Sequence, residues 1–193
     1  MSEPLRILIV DQNLMRGSVI EEGLREAGYQ DVILVHEMQN LLRRIVDDDP
    51  DVVFIDLENP NRDVLEQMFQ MSRLVHRPVA MFVDRSDTST IEAAVQAGVG
   101  AYVVDGLRKE RVKSILDMCI SRFNVFRRLR DELDRTRQAL DERKLVERAK
   151  GILMRARKLG EEDAYALLRK AAMDSNQRLA DIAQGVITAA ELL

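Results

Sequence analysis

Apolar residues in the first half of the chain fall in short unbroken runs separated by stretches of helical spacing. Ile7-Leu8-Ile9-Val10 ends at Asp11, and Asn13 to Gly28 then sets Met15, Val19, Ile20, Leu24 and Ala27 on one helix face. The pair recurs four times: Val32 to Val35 before a helix around Leu41 to Val46; Val52 to Ile55, ending at Asp56, before Val64 to Leu74; Val79 to Val83 before Thr90 to Ala97; and Ala101 to Val104 before Leu107 onward. Five near-continuous apolar strands alternating with helices predict an α/β domain whose parallel sheet is covered on both faces. Binding chemistry in such sheets gathers at the carboxyl ends of the strands, where Asp11, Asp56 and Asp105 stand.

From Glu110 to about Arg157 there is no proline, and no glycine before Gly151, so one long helix is predicted. Cys119, Phe126, Leu129, Leu133 and Leu140 follow alternating three- and four-residue steps if Arg122 and Thr136 fill the gaps, an imperfect heptad seam. Flanking charge, as in Arg127-Arg128-Leu129-Arg130-Asp131-Glu132, suits outer positions, and the expected role is a parallel homodimer, with an intramolecular pack as the alternative. Gly160 and Glu161-Glu162-Asp163 then mark one helix end and the next helix start. Ala164, Leu168 and Ala171 face a core shared with Leu179, Ile182, Ala183, Val186 and Ala190 of a third helix, beyond the turn Asp174-Ser175-Asn176.

Leu145, Ala149, Ile152, Leu153 and Ala156 form the apolar face of this segment of the long helix, while Lys144, Arg148, Arg155 and Lys158 form a basic stripe that contains Gly151 and adjoins Lys150. A mid-helix glycine costs about 0.5–1 kcal/mol relative to alanine. Its presence there suggests close approach either by a phosphate backbone or by a neighbouring helix. Tyr165 and Arg169, four apart and off the apolar stripe, could stack an unpaired base and hold the adjoining phosphate, or be a half-buried tyrosine and a surface arginine.

Residues 1–105 carry 9 Lys and Arg against 19 Asp and Glu, whereas residues 106–142 and 143–193 each carry 10 against 7. An acidic first half joined to a basic second half fits a regulatory domain fused to an anion-binding one. One cysteine, Cys119, allows no intrachain disulfide, and with two histidines, His36 and His76, there is no zinc cluster. The first apolar run is too short for a signal peptide or a membrane span, so a cytoplasmic protein away from the membrane is expected. An enzyme reading lacks a nucleophile–base pair.

Ile9-Val10-Asp11, Phe54-Ile55-Asp56 and Ala97-Gly98-Val99-Gly100-Ala101-Tyr102-Val103-Val104 resemble the response-regulator receiver domain, a flavodoxin-like fold, over residues 5 to about 120. That resemblance implies an acidic pair for magnesium, a phosphoacceptor aspartate, a Thr or Ser ending the fourth strand and a Lys ending the fifth. Asp56 holds the acceptor position and Asp11 one of the acidic pair, but Gln12 replaces the second acid, Val83 the hydroxyl and Asp105-Gly106 the Lys-Pro. Replacing an ammonium with a carboxylate adds repulsion where an aspartyl phosphate develops charge. The domain is therefore expected to be a pseudo-receiver with Asp56 vestigial, with Asp11 and Asp105 as an acidic pocket, and without a cofactor, magnesium included.

Glu147-Arg148-Ala149-Lys150-Gly151-Ile152-Leu153-Met154, Glu162-Asp163-Ala164-Tyr165, Leu168-Arg169, Ala171-Ala172-Met173 and Asp181-Ile182-Ala183 resemble the ANTAR domain of bacterial antitermination regulators. The resemblance implies binding of RNA with two linked hairpin loops in nascent leader transcripts, preventing terminator formation. Lys144, Arg148, Lys150, Gly151, Arg155, Lys158, Tyr165, Arg169 and Arg178 are the candidate RNA contacts. Asp56 to Val64 and Gly100 to Leu107 further resemble nitrate-assimilation regulators of the NasT type, implying an inhibitory nitrate- or nitrite-sensing partner protein. The expected organisation is a receiver-like domain at 1–120, a coiled-coil linker at 121–143 and an ANTAR domain at 144–193. A phosphorylation-switched DNA-binding regulator and a protein-interaction adaptor are the alternatives. The third helix has only Arg178 near its start, which argues against reading the major groove.

Overall fold

In the computed structural model, which describes residues 5–38, 40–58, 60–105 and 107–191, the chain divides into two compact units, Met1–Arg127 and Arg128–Leu193. The first alternates β1 (Ile7–Asp11), α1 (Leu14–Glu26), β2 (Val32–Val35), α2 (Leu41–Asp48), β3 (Val52–Leu57), α3 (Arg62–Leu74), β4 (Val79–Val83), α4 (Thr88–Gln96) and β5 (Ala101–Val104). All pairings are parallel, in the order β2-β1-β3-β4-β5.

Alternate strand residues build two cores because successive side chains point to opposite faces. Leu8, Val10, Val53, Ile55 and Met81 pack under α2, α3 and α4, while Ile7, Ile9, Phe54 and Phe82 pack under α1 and the start of α5 (Lys109–Arg157). Side-chain caps start the helices: Asn13 Oδ1 accepts from Met15 N–H, Asn61 Oδ1 from Val64 N–H, and Asp87 Oδ1 from Thr90 N–H.

Cys119, predicted as the first seam position, is instead fully buried in the receiver core with Val112, Ile115 and Leu116. A Cβ on Gly100 would lie 2.6 Å from Cys119 Sγ and 3.0 Å from its carbonyl oxygen, so this helix sits close on β5. Phe126, Leu129, Leu133 and Leu140 are all exposed in the single chain.

In the second unit, Ala149 of α5, Leu168 of α6 (Glu161–Ser175), and Ala183 and Ile187 of α7 (Leu179–Glu191) form the core, with Leu145, Ile152, Leu153 and Val186 around it. Ala156 and Ala190, expected inside, are exposed. Gly100→Ala should destabilise the receiver unit by about 1–3 kcal/mol through overpacking. Gly185→Ala, with open space around its Cβ, should stabilise α7 by about 0.5–1 kcal/mol. Denaturant midpoints of the two variants check the contrast.

Candidate functional site

The register of β1 against β3 places Asp11 opposite Asp56, and both residues are only 3% exposed. Asn13 N–H donates to Asp11 Oδ1 at 2.7 Å, whereas Asp11 Oδ2 is buried without a hydrogen-bond partner among the described residues. Burial, followed by the neighbouring Asp56 charge, pushes the Asp11 carboxyl up from 3.8 to about 6, against the opposing pull of the Asn13 N–H and Arg16.

Asp56 is held by a residue that sequence reading missed. Arg16, in the first turn of α1, donates from Nε to Asp56 Oδ2 at 2.7 Å and from Nη2 to Asp56 Oδ1 at 2.9 Å. Its Nη1 donates to Asp84 Oδ1 at 2.7 Å, just beyond β4. The fork of a guanidinium matches both oxygens of a carboxylate, and these contacts raise the Arg16 pKa further. Arg16 and Asp84 both lie beside strand carboxyl ends, where the fold collects its chemistry, but no spacing in the sequence pairs them.

Asp105 does not join Asp11 and Asp56. It is exposed, with φ at +46°, and its N–H donates to the Val83 carbonyl. Gly106, its neighbour in the family pattern, lies outside the described residues. Val83 is buried in the core, and Gln12 is exposed. Among the described residues no three His, Cys, Asp or Glu side chains are grouped to hold a metal ion. With both Asp56 oxygens taken by a cation, this pocket does not suit the magnesium that receivers imply. The exposed His36 brings its Nδ1 within 2.8 Å of the Asp11 carbonyl oxygen.

In the second unit the nearest atom to a Cβ built on Gly151 is Arg155 Nη1, 3.9 Å away, so no neighbouring helix packs on this glycine. Of the two reasons for a glycine here, the close-packed helix is therefore removed. Gly151 lies between Arg148 and Arg155, which line a cleft of about 490 Å³ with Ile152, Ala156, Ala190 and Glu191.

The remaining candidates separate by their partners. Arg148 Nη2 donates to Glu191 Oε1 at 2.7 Å, Lys144 Nζ to Asp141 Oδ1 at 3.0 Å, and Arg178 to both oxygens of Asp181. Lys158 lies just past α5 with φ at +54°, so it does not extend the helical stripe. Lys150, with its side chain 9% exposed, bridges Glu147 at 2.9 Å and Glu161 at 2.7 Å, joining α5 to the start of α6. Arg155 and Arg169 are exposed and have no ion-pair partner among the described residues, and Tyr165 is exposed one turn before Arg169.

The model of the response regulator receiver domain family matches residues 7–117. The chain belongs to this family. Behind the receiver domain, the ANTAR domain model matches residues 134–187, so the basic face of α5 and all of α6 lie in an ANTAR domain. The transcriptional regulatory protein PdtaR of Mycobacterium tuberculosis is 29% identical over 184 residues, 95% of this chain and 90% of its own. A nitrate regulatory protein of Klebsiella oxytoca is 40% identical over 76 residues, 39% of this chain and 19% of that protein. Solved structures similar to the receiver include a putative pilus assembly-related protein from Burkholderia pseudomallei (TM-score 0.54, 18% identity, 63% of this chain and 93% of that one). A response regulator from Thermotoga maritima has a TM-score of 0.52 at 20% identity, over 61% of this chain and 98% of that one. At these identities the likeness shows the fold. Among the described residues no helix is long and apolar enough to cross a membrane.

The raised Asp11 carboxyl sets a pH dependence for the receiver. Between pH 3.8 and about 6 the folded state keeps a proton that the unfolded state has released, so this group's contribution to stability falls as pH rises through that window. Above it the penalty is complete, and Asp11→Asn should stabilise the protein by about 1–3 kcal/mol at pH 7. Unfolding midpoints of wild type and variant from pH 4 to 7 should diverge with rising pH; parallel profiles would contradict the assignment.

Proposed function

We propose that this receiver–ANTAR chain is an RNA-binding transcription antiterminator that grips hairpin loops of a nascent leader transcript and keeps a terminator from forming. The observation that carries the reading is the open backbone at Gly151. It stands between two arginines inside the ANTAR domain, at a position where alanine would cost the helix nothing. A phosphate can come close to the helix there, with Arg155 and Arg148 beside it as the donors. Tyr165 offers a stacking surface for an unpaired base and Arg169 a neighbouring phosphate contact, the combination suited to looped RNA.

Lys150 takes a different role from the RNA contact predicted for it. Its ammonium is held by two glutamates, so it secures the α5–α6 junction that presents this face. Arg178, Arg148 and Lys144 already have acidic partners and contribute by exchanging them. Phe126, Leu129, Leu133 and Leu140 supply the seam of a parallel homodimer.

The regulated genes in this reading are those of nitrate or nitrite assimilation, supported by the local likeness to a protein named as a nitrate regulator. The receiver domain serves as the docking site for an inhibitory sensor protein that binds nitrate or nitrite. Arg16 on the Asp56 carboxylate supports control by that partner over control by phosphorylation. The work is done in the cytoplasm, where leader transcripts form.

Arg155→Ala, Tyr165→Ala and Arg169→Ala should each weaken binding to a two-hairpin leader RNA by about tenfold or more, and the wild-type affinity should fall steeply with salt. Gly151→Ala should raise helix stability by about 0.5–1 kcal/mol while lowering RNA affinity. Gel shifts against the RNA and a duplex DNA of the same length measure this, and wild-type affinities in all four variants would sink the reading. The paired change Leu129→Asp and Leu133→Asp should shift the protein to a monomer in sedimentation.

A further inference from the structure

We infer that Arg16 is the resident cation of this receiver: its guanidinium takes the place of a divalent ion and permanently ties the loop after β4 to the acceptor aspartate. The inference rests on the reading that phosphate does not switch the domain, and it adds the device that replaces the phosphate. Three strand ends meet at this side chain. Arg16 itself follows β1, Asp56 lies at the end of β3, and Asp84 begins the loop after β4. The guanidinium reaches both Asp56 oxygens with its fork and Asp84 with its third nitrogen, so a positive charge already sits where a divalent ion would have to approach Asp56. The Arg16 and Asp56 side chains are 24% and 0% exposed, so water competes poorly for the pair.

The tether has a structural consequence. Asp84 N–H also donates to the Glu58 carbonyl at 3.2 Å, so the loop is fixed to the end of β3 through backbone and side chain. The residues that follow, Arg85, Ser86 and Asp87, line one wall of a cleft whose other wall includes Leu65 and Phe69 of α3. The tether thereby holds one wall of this cleft to the end of β3. Removing the guanidinium should leave Asp56, Asp84 and the unpartnered Asp11 Oδ2 as an uncompensated acidic cluster, which a divalent ion would then enter.

The test uses the full-length protein, manganese as the metal probe, and hydrogen exchange. Wild type should show no saturable manganese binding at millimolar concentration and no mass increase with phosphoramidate. Arg16→Met should bind manganese at least tenfold more tightly than wild type and exchange amides of residues 84–90 at least tenfold faster. Arg16→Lys, which keeps charge but loses the fork, should exclude manganese yet still loosen the loop. Asp84→Asn, which cuts only the tether, should speed loop exchange without creating a metal site, and it covers the case in which the Arg16 variants do not fold. Manganese binding by wild type equal to that of Arg16→Met, or unchanged loop exchange in Asp84→Asn, would overturn the inference. A mass increase of wild type with phosphoramidate would overturn the reading that phosphate does not switch the domain, and the loop exchange of Asp84→Asn tells that failure apart from failure of the tether.

Discussion

Two carboxylates buried side by side are the constraint on which the receiver half depends. Parallel register puts Asp11 and Asp56 opposite one another at adjacent strand ends, out of reach of bulk water. Two such charges cannot both persist without compensation, because burial weakens the ionised form and a like charge weakens it further. The chain resolves the conflict asymmetrically. Asp56 is held by a bidentate arginine, and burial moves Asp11 toward the neutral form. In a receiver that works by phosphoryl transfer, a mobile cation and a free acceptor oxygen are needed at this place. Here both oxygens of Asp56 accept from Arg16, whose third nitrogen reaches Asp84 in the loop after β4.

Charge pairing also sorts the basic residues of the ANTAR unit. Nine residues share the face or flanks that sequence reading assigned to RNA, but a cation already bonded to a carboxylate must give up that partner before it neutralises a phosphate. Lys150 is the extreme case, covered by protein and bonded to two glutamates on different helices. Removing it would leave Glu147 and Glu161 without their shared cation, so loss of RNA binding in such a variant would report the α5–α6 junction. Arg155 and Arg169 have no ion-pair partner among the described residues, and the Arg155 guanidinium is the nearest group to a Cβ built on Gly151, 3.9 Å away. Fewer cations of this face are therefore uncommitted than its formal charge suggests.

The sheet was legible because strands buried on both faces must be apolar at every position, and no other element gives runs as short and continuous as Ile7 to Val10. The three-helix core of the ANTAR unit was legible for a related reason, since Ala149, Leu168 and Ala183 fall at helical spacing. Arg16 was not, because its partners lie 40 and 68 residues away and only the register of three strands brings them together. Asp105 misled for the opposite reason. It ends a strand as Asp11 and Asp56 do, but a left-handed backbone turns it out to solvent. Lys150 reads as a surface cation until the start of α6 covers it. Helical periodicity gives the face on which a residue lies and carries no information about what covers that face.

The same limit explains the seam of α5. Cys119 continues the heptad spacing of Phe126, Leu129, Leu133 and Leu140, yet the receiver core claims it, because the first turns of α5 are the helix that closes the sheet over β5. A seam can begin only where that covering ends, at Phe126. Thr136, which interrupts the apolar series, is compatible with it: its Oγ1 donates to the Glu132 carbonyl at 2.8 Å, leaving no unpaired hydroxyl to bury. From Phe126 to Leu140 the seam then spans about two heptads. Each fully buried leucine contributes about 1.5–3 kcal/mol, against the loss of translational freedom on pairing. Two heptads with one threonine leave a small surplus, so the dimer proposed for this chain would depend on concentration. RNA with two linked loops would then favour it by holding two ANTAR units at once.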